Sequence, residues 1–280
     1  MFKKVFSVFI LIIPSALLFA QLPVQDEAFN SCHCPGMVKG HKGKLYFSFG
    51  YNLDWFTNSD IHFKDKGAGD YDFTLYNVKA VDRPALAYIF KEDITLPQYS
   101  YRIGYFFNDK RDMGIEINYD HVKYLVVSNQ RVHIKGEIHG TPLDGDTTLS
   151  SKFIQYEHTN GANYFMVNLA RRFNFLHSRN ELHWLSAVVR AGAGPVIPRS
   201  ATSLWGNSRD DTYHVAGFVA GIDLGLRYDF LKNFYFETNG KGAFADYTNV
   251  LLYGEGRAQQ SWFSFEYIFT IGFQFGAKIF

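Results

Sequence analysis

The nineteen residues that end the chain, Trp262 to Phe280, place Phe, Tyr or Ile at every odd position from 263 to 275. The even positions between them include Ser264, Glu266, Thr270, Gly272 and Gln274. Neighbouring side chains of a strand point to opposite faces, so this segment reads as one strand with a hydrocarbon-compatible face and a polar one. A sheet can show such a face to lipid only if it closes on itself, because no water is there to satisfy an open edge.

The same alternation recurs at about 44–56, 97–108, 112–126, 162–174, 183–196, 213–229, 233–247 and 262–280,. Leu45, Phe47, Phe49, Tyr51, Leu53 and Trp55 oppose Ser48, Gly50, Asn52 and Asp54. Phe218, Ala220, Ile222, Leu224, Leu226 and Tyr228 oppose Gly221, Asp223, Gly225, Arg227 and Asp229. Connections near 108–111, 177–180 and 231–233 are short, whereas about 57–96, 127–161, 197–212 and 248–261 are long. Strict short–long alternation predicts an all-β, up-and-down antiparallel transmembrane β-barrel of eight strands, with short periplasmic turns and long extracellular loops. A count of ten follows if 152–158 and a partner from the second loop also cross. Otherwise 152–158 extends the fourth strand upward. In 112–126 the apolar register changes after Tyr119, and a bulge near Asp120-His121 is expected. Strand-like residues 71–76 and a hairpin through 131–134 and 137–139 extend the sheet above the membrane.

The first residues, Met1-Phe2-Lys3-Lys4, then an apolar run to Leu18 and Phe19-Ala20-Gln21, read as a signal peptide over 1–20,. A periplasmic segment 21–43 and a barrel 44–280 follow. Aromatic residues are 18% of the chain, as suits a lipid-facing band with interfacial rings,. Lys and Arg number 28 against 27 Asp and Glu, so no charge excess points to nucleic acid,. Cys32, His33 and Cys34 form a triplet whose single spacer fits a disulfide poorly and a soft metal only without a second ligand pair,.

The polar face carries Arg102, Glu116, Asp120, Arg190, Asp223, Arg227, Glu237, Lys241, Glu266 and Lys278. Both signs are mixed, and the lumen of an eight-stranded barrel is nearly filled by side chains, so these groups are expected to cross-link it. Glu157-His158-Thr159-Asn160-Gly161, at the outer rim, offers a base, a hydroxyl and a carboxylate,. It is similar to the His-x-Ser-Asn segment of outer-membrane lipid A deacylases, although here Asn160 stands two residues after the His and the hydroxyl belongs to Thr159. That likeness implies an ester hydrolase with His158, Thr159 or a distant Ser, and Glu157. His62, His133, His139 and His214, with Asp144 and Asp146, read as solvated loop residues. An EF-hand from Asp144 would need Glu at its twelfth position, where Gln155 stands,. Trp55, Trp184 and Trp262 read as interfacial girdle residues, and Trp205 stays open.

Taken together, 44–280 resembles the small outer-membrane β-barrel proteins of Gram-negative bacteria, which also end on an aromatic residue. Phe280 departs in being out of phase with Phe269, Ile271, Phe273 and Phe275. The resemblance implies residence in the outer membrane among its lipid and lipopolysaccharide, and delivery by the outer-membrane insertion machinery. It implies no cofactor and no particular activity. The leading expectation is a non-enzymatic barrel with long surface loops for binding or envelope stabilisation. A lipid A-modifying acyl hydrolase and a small channel are the alternatives.

Overall fold

The computed structural model describes residues 29–31, 43–83, 98–107, 112–210 and 212–276. The expected signal segment, the Cys32-His33-Cys34 triplet, Lys278 and Phe280 lie outside the described residues. Among the described residues every regular element is a strand: β1 (Phe29–Ser31), β2 (Lys44–Phe56), β3 (Ser59–Asp65), β4 (Tyr71–Val78), β5 (Ala80–Val81), β6 (Ser100–Phe106), β7 (Met113–Asp120), β8 (Tyr124–Val126), β9 (Arg131–Ile138), β10 (Thr141–Thr148), β11 (Ile154–His158), β12 (Tyr164–Ser178), β13 (Trp184–Val196), β14 (Ala201–Leu204), β15 (Asn207–Asp210), β16 (Gly217–Phe230), β17 (Phe234–Leu251) and β18 (Arg257–Gly276).

Among the described residues, eight of these strands pair antiparallel in a closed cycle, β2–β6–β7–β12–β13–β16–β17–β18 and back to β2. The chain is therefore an up-and-down antiparallel β-barrel. Closure rests on the final strand, where Ser264–Gly276 pairs with Phe56–Lys44. Alternation sets which way each residue faces. On β18 the odd aromatic row is exposed, with Phe263, Phe265 and Phe269 at 63%, 51% and 50%, while Ser264, Glu266 and Thr270 are buried. One tight connection, between Phe230 and Phe234, places Leu231 and Lys232 at φ 52° and 68°, the left-handed twist that suits a narrow hairpin,.

At the long-loop end the chain builds beyond the ring. β3 pairs with the start of β18, and β4, β9 and β10 follow it outward as a wing of the same sheet. A second sheet, ordered β15-β14-β11-β8-β5, lies over the barrel mouth. A buried apolar cluster that includes Ile61, Phe63, Phe73, Tyr124, Tyr156, Tyr164, Val219, Tyr247 and Trp262 joins it to the ring. The wing follows the expectation that 71–76 extends the sheet, but 131–138 is one strand, β9, and the hairpin turns later, at His139-Gly140, into β10.

Four other expectations change. Residues 152–158 neither cross with the ring nor prolong β12, because β11 pairs with β8 and β14 in the second sheet. No bulge joins 112–126 into one strand. The chain leaves the ring after Asp120, and Val122, Tyr124 and Val126 are apolar because they face the cluster under the second sheet. The long loop expected at 248–261 is mostly strand, since β17 and β18 run on as a hairpin to Leu251 and Arg257. Trp262 is an inward residue with 2% exposure rather than a girdle residue, having the even parity of Ser264 and Glu266.

Candidate functional site

The polar face of the ring meets itself across a narrow interior. Arg190 is the pivot: Nε donates to Glu116 Oε2 at 2.8 Å, Nη1 to Glu237 Oε1 at 2.6 Å, and Nη1 also to Asp223 Oδ1 at 3.3 Å. Arg102 Nη2 donates to Asp223 Oδ2 at 2.7 Å, and Lys241 Nζ lies 3.1 Å from Glu266 while also bonding Asp120. Arg227 donates to Asp229 and, at 2.6 Å, to Gln274 Oε1. All nine of the charged residues read from the sequence and described in the structure, Arg102, Glu116, Asp120, Arg190, Asp223, Arg227, Glu237, Lys241 and Glu266, are buried. The sequence reading left out Tyr46, Asn168, Asn239 and Asp229 as members. Tyr46 OH donates to Glu116 at 2.8 Å, Asn168 to Glu116 at 3.1 Å, and Asn239 to Asp223 at 2.8 Å. Inward parity marked all four, Asp229 as plainly as Asp223 and Arg227, while Tyr46, Asn168 and Asn239 carry no charge to signal them. Paired and hydrogen-bonded in this way, the charges fill the interior as a cross-link rather than line a passage.

The rim segment behaves differently from the arrangement that hydrolysis would need. His158 faces inward and is fully buried, stacking on Tyr247 at 5.2 Å between ring centroids. Its Nδ1 lies 2.7 Å from Ser200 Oγ, and its Nε2 lies 2.9 Å from Gln260 Nε2. An amide nitrogen can only donate, so the imidazole proton sits on Nδ1 and is given to Ser200. In this arrangement the imidazole gives its proton to the serine instead of taking one. Burial holds its pKa down at about 3, with His214 adding a smaller push in the same direction,. Thr159 Oγ1 instead donates to Glu157 Oε1 at 2.9 Å. The structure thus brings Thr159 to Glu157 and His158 to Ser200, and does not join the two pairs.

On the ring side of His158, Trp262 is sandwiched by Tyr124 and Tyr247 at 4.3 and 4.5 Å. Trp262 Nε1 donates to Tyr164 OH at 2.9 Å, and Tyr247 OH donates to the Ala162 carbonyl. This stack caps the ring interior. Trp55 is 51% exposed on the outer wall, Trp184 stacks with His177 at the short-turn end, and Trp205 packs on Tyr71 and Phe153 at the tip of the β14–β15 hairpin.

The wing's outward face is polar. His62 Nε2 lies 2.7 Å from Asp72 Oδ1, and Lys64 bonds the other oxygen of the same carboxylate. Those two bonds hold the Asp72 carboxyl below the usual range. His133 lies 3.1 Å from Asp144 and 3.4 Å from Asp146. His62, Lys64, Lys66, Glu255 and Arg257 line a shallow cleft of about 310 Å³. Among the described residues no group of three or more His, Cys, Asp or Glu is assembled as a metal cluster.

No family model and no curated protein matches the chain. Among solved structures, the chain is similar to the attachment invasion locus protein Ail of Yersinia pestis, at 13% identity and TM-score 0.33, over 84% of this chain and 99% of that one. It is also similar to the outer membrane protein OprG from Pseudomonas aeruginosa, at 12% identity and TM-score 0.39, over 86% of this chain and 100% of that one. Neisserial surface protein A matches at 8% identity and TM-score 0.29, over 84% of this chain and 97% of that one. All three are small Gram-negative outer-membrane β-barrel proteins, the class that the sequence resembles. Likeness at these scores carries no argument about function.

Proposed function

We propose that the chain is an outer-membrane β-barrel protein whose ring anchors it, and whose sheets beyond the long-loop end present a binding or stabilising surface on the envelope. One observation carries this reading: the ring is closed, and its outer wall is apolar. Leu169, Ile222, Leu224 and Phe265 are exposed at 64%, 59%, 60% and 51%, in a band that runs round successive strands. A protein in water does not leave so continuous an apolar surface uncovered, whereas hydrocarbon is its natural solvent. No helix among the described residues is long and apolar enough to cross a membrane.

On this reading outer-membrane lipid and lipopolysaccharide surround the ring, the outer-membrane insertion machinery assembles it, and no cofactor takes part. The polar wing and its cleft face outward, where loops held by a rigid scaffold commonly carry function. The hydrolase alternative finds no support at His158, which is shut away from lipid and donates to its serine. The channel alternative meets a lumen filled by ion pairs and capped by aromatic rings.

Fractionation of expressing cells tests the proposal. The protein should sediment with outer membranes and migrate faster unboiled than boiled in detergent gels; recovery as a soluble periplasmic protein would overturn it. Lipid A from the same cells should keep its acyl pattern by mass spectrometry, and a lost acyl chain would restore the hydrolase reading.

A further inference from the structure

Asp54 on β2 and Glu266 on β18 are direct cross-strand partners, both turned inward and exposed by only 3% and 0%. Like charges set opposite one another on a sheet repel. Lys241 offsets part of this, with Nζ 3.1 Å from Glu266 Oε1, but it is shared with Asp120. Neither Glu266 oxygen accepts a hydrogen bond. Asn52, 1% exposed and on the same face of β2, donates from Nδ2 to the two Asp54 oxygens at 3.3 and 3.2 Å, and its own Oδ1 has no partner. Asp82 closes the group from outside the ring. Its Oδ2 accepts the Asp54 backbone N–H at 2.8 Å, and its Oδ1 is buried without a partner.

Two buried carboxylates that face each other and share one lysine with Asp120 are expensive, and an orphan amide oxygen beside them adds to that cost,. We propose that this corner of the lumen binds a hard metal cation of the calcium or magnesium class through Asp54, Glu266 and the Asn52 amide oxygen. The donor set is all oxygen and carries two formal negative charges, the chemistry that such ions take. Two carboxylates and one amide, completed by water, make an exchangeable site, with affinity on the order of 10⁻⁴–10⁻³ M. The β2–β6 ladder ends at Gly50–Ser100, and past that point β2 is bonded on this side by the Asp82 and Gln98 side chains.

Equilibrium dialysis of the refolded full chain in detergent micelles tests the site, with calcium as the probe and ionic strength fixed by sodium. One calcium should bind saturably per chain, and added calcium should raise the thermal midpoint read by β circular dichroism. Asp54→Asn and Glu266→Gln should each weaken binding at least about tenfold. The wing variant Asp144→Asn should bind as the wild type does. Absence of saturable binding to the wild type overturns the proposal, as it would if a proton alone neutralised the pair. So does binding that survives both substitutions. Each substitution removes a repulsion, so folding is expected; if either variant fails to fold, wild-type dialysis with the Asn52→Leu variant decides, with unchanged affinity refuting the site.

Discussion

His158 shows how one residue's surroundings set its chemistry. Its ring packs among Tyr124, Tyr156, Tyr247 and Trp262, and both nitrogens are engaged, so the neutral form is kept far below the ordinary range, at about 3. The unfolded chain binds a proton there below about 6.5, whereas the folded chain does not until about 3,. Between those values the unfolded state holds the extra proton, so stability rises with pH through this window and is fully present above it. Over the whole window the effect is on the order of 5 kcal/mol. Wild-type unfolding free energy, measured by urea titration, should therefore fall as pH drops from about 6.5 towards 3. His158→Gln should flatten the same interval while costing stability at neutral pH through loss of the Ser200 bond. An unchanged slope in the variant would show that another group carries the acid sensitivity.

At the scale of elements, the wing hangs on one close approach. Gly136 on β9 sits opposite Phe73 on β4 at φ 142°, and a Cβ there would lie 2.2 Å from the Asp72 carbonyl oxygen. Gly136→Val should peel β9 and β10 from β4 and open 131–148 to protease, while the ring keeps its heat-modifiable migration. A hairpin as resistant as the wild type would show that the contact does not hold it. This wing and the ring were legible in the sequence to different degrees. β18, β2 and β16 could be read because each alternates for a dozen residues or more, long enough to fix which side every residue faces. That parity also placed Arg102, Arg190 and Glu237 inside, and Trp262 would have been read correctly had parity been weighed above residue type. The second sheet left less trace. Residues 152–158 read as strand-like, but the strands of this sheet run from two to five residues, as in Ala80–Val81 and Ile154–His158, too short to show what they pair with. Its pairings, such as Tyr156 with Thr202, join distant stretches that only the closed barrel brings together. Ser200 was invisible as the partner of His158 for the same reason.

The whole molecule is a closed wall around a charged interior, and its stability depends on that interior being complete. Arg190 reaches Glu116, Asp223 and Glu237 from one guanidinium, so removing it takes a cation from three carboxylates at once; Arg102 still pairs with Asp223 and Glu116, whereas Glu237 is left with the Asn239 amide. A buried ion network need not be more stabilising than an apolar filling, but breaking one side of it is costly because the remaining charges stay buried. Arg190→Met should lower the unfolding free energy in lipid vesicles by roughly 3–5 kcal/mol. Neutralising its partners in the same chain, with Glu116→Gln and Glu237→Gln, should return much of that loss, since the penalty lies in the stranded charges. The same packing predicts the electrical behaviour. With the three arginines bonded across the ring and the Tyr124–Trp262–Tyr247 stack above them, wild-type protein in planar bilayers should show no stable single-channel steps. If steps appear in the wild type, the lumen is not filled as these bonds imply. If they appear only in Arg190→Met, the guanidinium is the obstruction, and the ion pairs close the barrel as well as hold it together.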